Sequence, residues 1–145
     1  MTNLVTSPAP EVPAPGRRRR RLFRPSLYLL RLLGSVHALL ALSQALTIGQ
    51  YFGGNYPMLR VHAVAAGILI LAAASLALVA LLYAVAGGRI WVAVVCPLCY
   101  LAEGLQIGAG YDRSLAVHVP LGVTIVASAL LVAGWSWSRS AGRTR

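Results

Sequence analysis

Four apolar runs, residues 26–49, 61–87, 90–109 and 115–137, take up most of this chain. Each is close to the ~20 residues a helix needs to cross a hydrocarbon core. A main chain inside lipid must satisfy its own N–H and C=O groups, which a helix does and an open sheet does not. With 145 residues, 58% hydrophobic and 11% charged, the chain is too short to bury so much apolar surface in a soluble core. The fold class expected is all-α. It is a polytopic membrane protein whose four transmembrane helices form an antiparallel bundle over residues 26–137.

Charge sets the expected orientation. All thirteen Lys+Arg residues are arginine, against three acids, for a formal net charge of +10. Arg17 to Arg21 and Arg24 precede the first run, Arg89 lies between the second and third, and Arg139, Arg143 and Arg145 follow the fourth. Only Arg60 and Arg113 fall in the other two loops. Cytoplasmic loops collect arginine, so both termini are expected in the cytoplasm of a multi-pass cell-membrane protein, with those two loops outside. Basic runs beside a span are anchors at anionic lipid, so the expected partner is the bilayer and not nucleic acid. Residues 1–25 are expected to form a disordered basic tail, opening with the Pro- and Ala-rich "MTNLVTSPAPEVPAPG". Residues 138–145 form a second cytoplasmic tail. The first apolar run exceeds the core of a secretory signal and lacks a convincing cleavage site, so it is expected to stay as a helix.

The chain repeats itself. "ALTIG" (Ala45 to Gly49) matches "GLQIG" (Gly104 to Gly108), and beyond a short loop "LRVH" (Leu59 to His62) matches "LAVH" (Leu115 to His118). Each half, 26–87 and 90–137, is a helical hairpin, and parallel repeats of this kind recur in membrane proteins. His62 and His118 then open the two returning helices at matched depth, on diagonal helices, facing the common axis. A single histidine there would be a helix-end residue bonded to a loop carbonyl. Two facing imidazoles are what a six-coordinate haem iron requires in its axial positions. Ala45 and Gly49, and Gly104 and Gly108, stand four residues apart at the same level. Small residues at this spacing allow close helix approach, and Gly49 and Gly108 would equally flank a slot for a flat macrocycle. Arg60 and Arg113 could pair with its propionates. Tyr51, Tyr56 and Tyr111 read first as interfacial anchors.

A helix with Gln or Glu ending in a Gly phrase, a short loop, then Leu-x-x-His opening the next helix, as in "SQALTIG…LRVH" and "AEGLQIG…LAVH", resembles one four-helix half of a haem A synthase. The resemblance covers about the middle two-thirds of the chain and implies haem ligation by His62 and His118. It does not extend to the synthase reaction. There is one bundle instead of two, "NYPMLRVH" has no acid before the first histidine, and the outer loops have no cysteine pair.

"CPLC" (Cys96 to Cys99) opens a competing class, a thiol/quinone oxidoreductase. The pair sits deep in the third run with no second pair to relay electrons, so small inert cysteines are the preferred reading. His37, Cys96 and Cys99 suggest a weaker inner metal site. Glu103, an ionisable group inside a span, is expected to face the interior and hydrogen-bond Gln44, with proton or quinone handling as the alternative. The function expected is an iron-binding, electron-transferring membrane protein holding one haem b between His62 and His118. Its partner would be a quinone or a redox protein, with oligomerisation left open. It would be a carrier more than an enzyme with its own substrate. The remaining alternative is a non-catalytic membrane subunit without cofactor.

Overall fold

The structure, a computed structural model, describes residues 15–145. Four helices follow in order: α1 (Pro15–Phe52), α2 (Met58–Val85), α3 (Ile90–Tyr111) and α4 (Leu115–Ser136). All four are long and apolar enough to cross a membrane, and no strand occurs among the described residues. α1 packs on α2 and α4, and α3 packs on the same two, so α1/α3 and α2/α4 are the diagonals of a four-helix bundle. The connections, 53–57, 86–89 and 112–114, are too short for anything but antiparallel neighbours.

The first helix corrects one expectation. α1 begins at Pro15, so the arginine run assigned above to a disordered tail over 1–25 is helical from residue 15. Arginine is a good helix former, and proline is well tolerated in a first turn where its missing N–H has no partner to lose. Residues 1–14, the rest of that expectation, lie outside the described residues.

One heptad seam runs down each helix. On α2 it reads Leu69, Ala73, Leu76, Ala80, Tyr83, in alternating steps of four and three, and all five are buried. On α4 it reads Ile125, Ala129, Val132, Ser136, again all buried. Alternation of large and small side chains in steps of four and three is knobs-into-holes packing, and small residues allow close approach where lipid supplies no hydrophobic drive. Extended in the other direction, the α2 seam passes Ala66 and reaches His62. The α4 seam passes Gly122 and reaches His118. The repeat therefore persists at seam level, with each histidine at the head of a core stripe. The α3 seam is Val92, Cys96, Cys99, Glu103, Gln106, Gly110, and that of α1 includes Leu30, His37, Ala41 and Gln44. The interior polar side chains His37, Gln44, Glu103 and Ser136 lie on these lines.

The two ends of the bundle are built differently. At the end holding the α2–α3 connection, called here the arginine end, Leu30, Ala80, Tyr83, Val92, Ser136 and Ala141 are wholly inaccessible. At the other, the histidine end, α2 has no buried residue before Leu69, α4 none before Ile125, and α3 none beyond Glu103.

The C-terminal segment closes the arginine end. The Tyr83 hydroxyl donates to the Ala141 carbonyl at 2.8 Å. The Arg145 main-chain N–H donates to Gly87 O, and its guanidinium donates to Ala84 O, both at 2.8 Å. Arg31, hidden inside the first apolar run and given no role by the charge pattern, donates from Nε to the Ser136 carbonyl at 2.9 Å and lies over the Trp137 ring. Two arginines thus bond carbonyls at the C-terminal ends of α2 and α4, where a positive charge also suits the helix dipole.

Candidate functional site

His62 and His118 meet across the α2/α4 diagonal. Their ring centres are 6.2 Å apart and the ring planes are inclined at 61°. Each is oriented from behind by the neighbouring outgoing helix. His62 Nδ1 lies 3.2 Å from the Gln44 carbonyl and 3.2 Å from Thr47 Oγ1, both on α1. His118 Nδ1 lies 2.7 Å from the Gln106 carbonyl on α3. A carbonyl only accepts, so each Nδ1 carries the proton and each Nε2 keeps its lone pair. In the repeat, Thr47 corresponds to Gln106, but the two side chains meet different ring nitrogens: Thr47 Oγ1 lies against His62 Nδ1, whereas the Gln106 amide donates to His118 Nε2 at 3.2 Å. The accepting carbonyl differs as well, that of Gln44 in the first hairpin and that of Gln106 in the second.

The small residues divide into two kinds. A Cβ at Gly110 would stand 2.9 Å from the His118 ring, and one at Gly122 would stand 3.2 Å from Gln106 Nε2, so these two glycines admit the imidazole and its partner. Gly49 and Gly108 are exposed and would have nothing within 4 Å of a Cβ. Each stands two residues beyond Thr47 or Gln106, about 200° further round its helix at ~100° per residue. They therefore look away from the imidazoles, and the expected slot between Gly49 and Gly108 is not where the histidines meet. Periodicity singled out the i, i+4 pair, whereas Gly110 is found only by placing it on the α3 seam. Arg60 and Arg113 are both exposed near this end. Arg113 has φ +57° in the turn before α4. Tyr51 packs edge-on against Tyr56, with ring centres 5.8 Å apart.

The second diagonal, α1/α3, holds the other polar contact. His37 Nε2 and Glu103 Oε1 are 2.5 Å apart, and both side chains are almost wholly buried. The expectation that Glu103 pairs with Gln44 is corrected here. Gln44 lies two turns further along the α1 seam, and the imidazole takes the carboxylate instead. His37 Nδ1, Glu103 Oε2 and Gln44 Nε2 are buried without a partner. Cys96 is buried and Cys99 half-buried, both as free thiols. With His37 and Ser128 they line a cavity of ≈ 10 Å³. No group of three or more His, Cys, Asp and Glu side chains arranged to hold a metal ion occurs among the described residues, so the weaker inner metal site is not assembled.

No protein-family model matches the chain, and neither a curated protein nor a solved structure does.

Proposed function

We propose that this chain is a multi-pass membrane protein that binds one b-type haem between His62 and His118 and transfers electrons. The observation that carries the reading is the facing imidazole pair with both Nδ1 atoms held by main-chain carbonyls. A histidine ligand whose other ring nitrogen donates to a carbonyl has its tautomer fixed and its basicity raised. The two ring centres are 6.2 Å apart, close enough for both imidazoles to approach one group. Neither α2 nor α4 buries a residue at this level, so the packing around the pair is loose. Held by His62 and His118, haem would supply one-electron transfer in preference to oxygen chemistry.

The protein's own part is to orient and to admit. Thr47 and the Gln44 carbonyl fix the His62 ring, and the Gln106 carbonyl fixes that of His118. The Gln106 amide stands against His118 Nε2, so ligation requires that side chain to turn aside. Arg60 and Arg113 sit at the rim, where guanidinium pairs with carboxylate. The arginine distribution further supports a cell-membrane location with both termini in the cytoplasm. A reporter after Arg145 should then be cytoplasmic, and tags at Asn55 and Asp112 external.

The test is the absorption spectrum of the detergent-solubilised protein, as purified and after haem addition. A low-spin six-coordinate spectrum is expected, lost in both His62→Ala and His118→Ala and kept in His37→Ala. A parent that stays colourless in both conditions overturns the reading. The same contacts also favour a second reading, in which each histidine only clasps the helix beside it through Nδ1. That role needs no ligand on either Nε2, that of His118 already facing the Gln106 amide, and predicts the colourless outcome.

A further inference from the structure

The His37–Glu103 contact has no part in holding a group between His62 and His118, and its surroundings are unusual. An ionisable group within a span is costly and marks a functional path more often than a packing device. Here both partners lie on seams that face the axis, and three polar atoms around them are buried without a partner: His37 Nδ1, Glu103 Oε2 and Gln44 Nε2. Nearly all buried polar atoms in folded proteins find a partner, and exceptions call for a bound water or ion, strain or a chemical role. The ≈ 10 Å³ cavity beside His37 has space for about one water molecule.

The electrostatic surroundings are sparse. On the cavity side α2 and α4 offer apolar side chains and the Ser128 hydroxyl, and α3 offers the Cys96 and Cys99 thiols. No other ionisable side chain lines the cavity. The packing is tighter in one direction than in the other. Towards the arginine end the axis is blocked by the fully buried Leu30, Tyr83 and Val92. Towards the histidine end, the next interior polar side chain on the α1 seam is Gln44, whose Nε2 is buried without a partner, and the half beyond it is loosely packed.

We propose that His37 and Glu103 form a buried proton-exchange site that reaches solvent by way of Gln44 and the histidine end. With Nε2–H donating to Oε1, Nδ1 and Oε2 are both acceptors and the pair carries one negative charge. A proton arriving at Oε2 gives a carboxylic acid beside a neutral imidazole, a neutral pair, with no other bond made or broken. Departure of that proton to water restores the first state. The site exists whether or not anything binds between His62 and His118, and its test needs no such ligand.

The experiment uses the full chain in detergent, labelled with 15N-histidine. The chain has three histidines, so a His37→Gln variant assigns the His37 signals. The infrared band of a protonated carboxyl is assigned by Glu103→Gln. Over the pH range in which helicity is constant, the Glu103 band and the His37 signals should follow one common titration curve, lost in Glu103→Gln. Should that variant fail to fold, His37→Gln must abolish the same curve. Signals that stay flat across the range make the pair a static clasp and overturn the proposal. Deuterium exchange into the Glu103 carboxyl should slow several-fold in Gln44→Leu and keep its rate in Cys99→Ser. An unchanged rate in Gln44→Leu, or a slowed one in Cys99→Ser, overturns the route.

Discussion

The arginine end and the histidine end of this bundle use the same helices for opposite purposes. At the first, the seams of α1, α2, α3 and α4 close on Leu30, Tyr83, Val92 and Ser136, and the C-terminal segment seals the layer through Ala141 and Arg145. At the second, the same seams continue into His62, His118, Gln106 and Gln44, and nothing apolar closes over them. Stability is therefore concentrated in one half, and the other half is left open for polar contacts.

Truncation tests this division most strongly. Tyr83→Ala removes a fully buried ring that packs on Phe23 and Trp135 and donates to Ala141 O. A loss of about 3–5 kcal/mol is expected, as for other large aromatic truncations in packed interiors. Leu46→Ala, at the histidine end and 67% exposed within the bundle, should stay within about 0.5 kcal/mol of the parent. Unfolding in mixed micelles measures both. Similar losses at the two sites would break the comparison.

The four helices were legible because twenty apolar residues in a row have few physical outcomes, and the ends of α3 and α4 fall within two residues of their apolar runs. The facing of His62 and His118 was legible too, because the repeated phrase fixes depth and the diagonal follows from short loops. The His37–Glu103 contact was not. Their alignment partners in the repeat are Cys96 and Gln44, and a pairing across the α1/α3 diagonal belongs to neither hairpin. Nor was the role of Arg31, since an arginine inside an apolar run reveals its partner only when the end of α4 is brought beside it. Gly110 escaped for a similar reason, because its contact is with a ring on another helix.

Glycines sharpen the comparison further. A Cβ on Gly88 would fall 2.3 Å from the Tyr83 ring, so Gly88→Ala must displace the most buried aromatic of the packed end. The expected cost is about 1–3 kcal/mol, typical of overpacking. Gly134 has open space around it, and Gly134→Ala should be neutral or stabilising by up to ~1 kcal/mol through helix propensity. Chemical denaturation of the two variants side by side decides whether contact or propensity rules there.

At the histidine end the same substitution should act on geometry more than on stability. Gly110→Ala would crowd the His118 ring at 2.9 Å and break its Nδ1 contact with the Gln106 carbonyl, whereas Gly108→Ala meets nothing within 4 Å. The cost of the first is about one hydrogen bond, ~1 kcal/mol or less in a membrane setting. Its signature should be a shifted His118 15N resonance, with that of His62 unmoved. A shift of equal size in Gly108→Ala would mean that the space between the helices lies where the i, i+4 glycines are, not on the seams.

The smallest effect concerns the two loops that carry the histidine end. Gly54 in the first takes φ +96°, and Arg113 in the second takes φ +57°, both in the left-handed region. For a residue with a Cβ this conformation costs roughly 1–2 kcal/mol. Glycine avoids that cost but loses about 0.5–1 kcal/mol through the greater freedom of its unfolded chain. The difference favours glycine, so Arg113→Gly should stabilise the bundle by about 0.5–1 kcal/mol, and Gly54→Ala should destabilise it by about the same amount. Thermal unfolding in detergent reads both signs. If Arg113→Gly is stabilising yet weakens retention of added haem, the arginine is kept at a strained position for its charge. If retention is unchanged, Arg113 has no part in the site and only Arg60 remains at the rim.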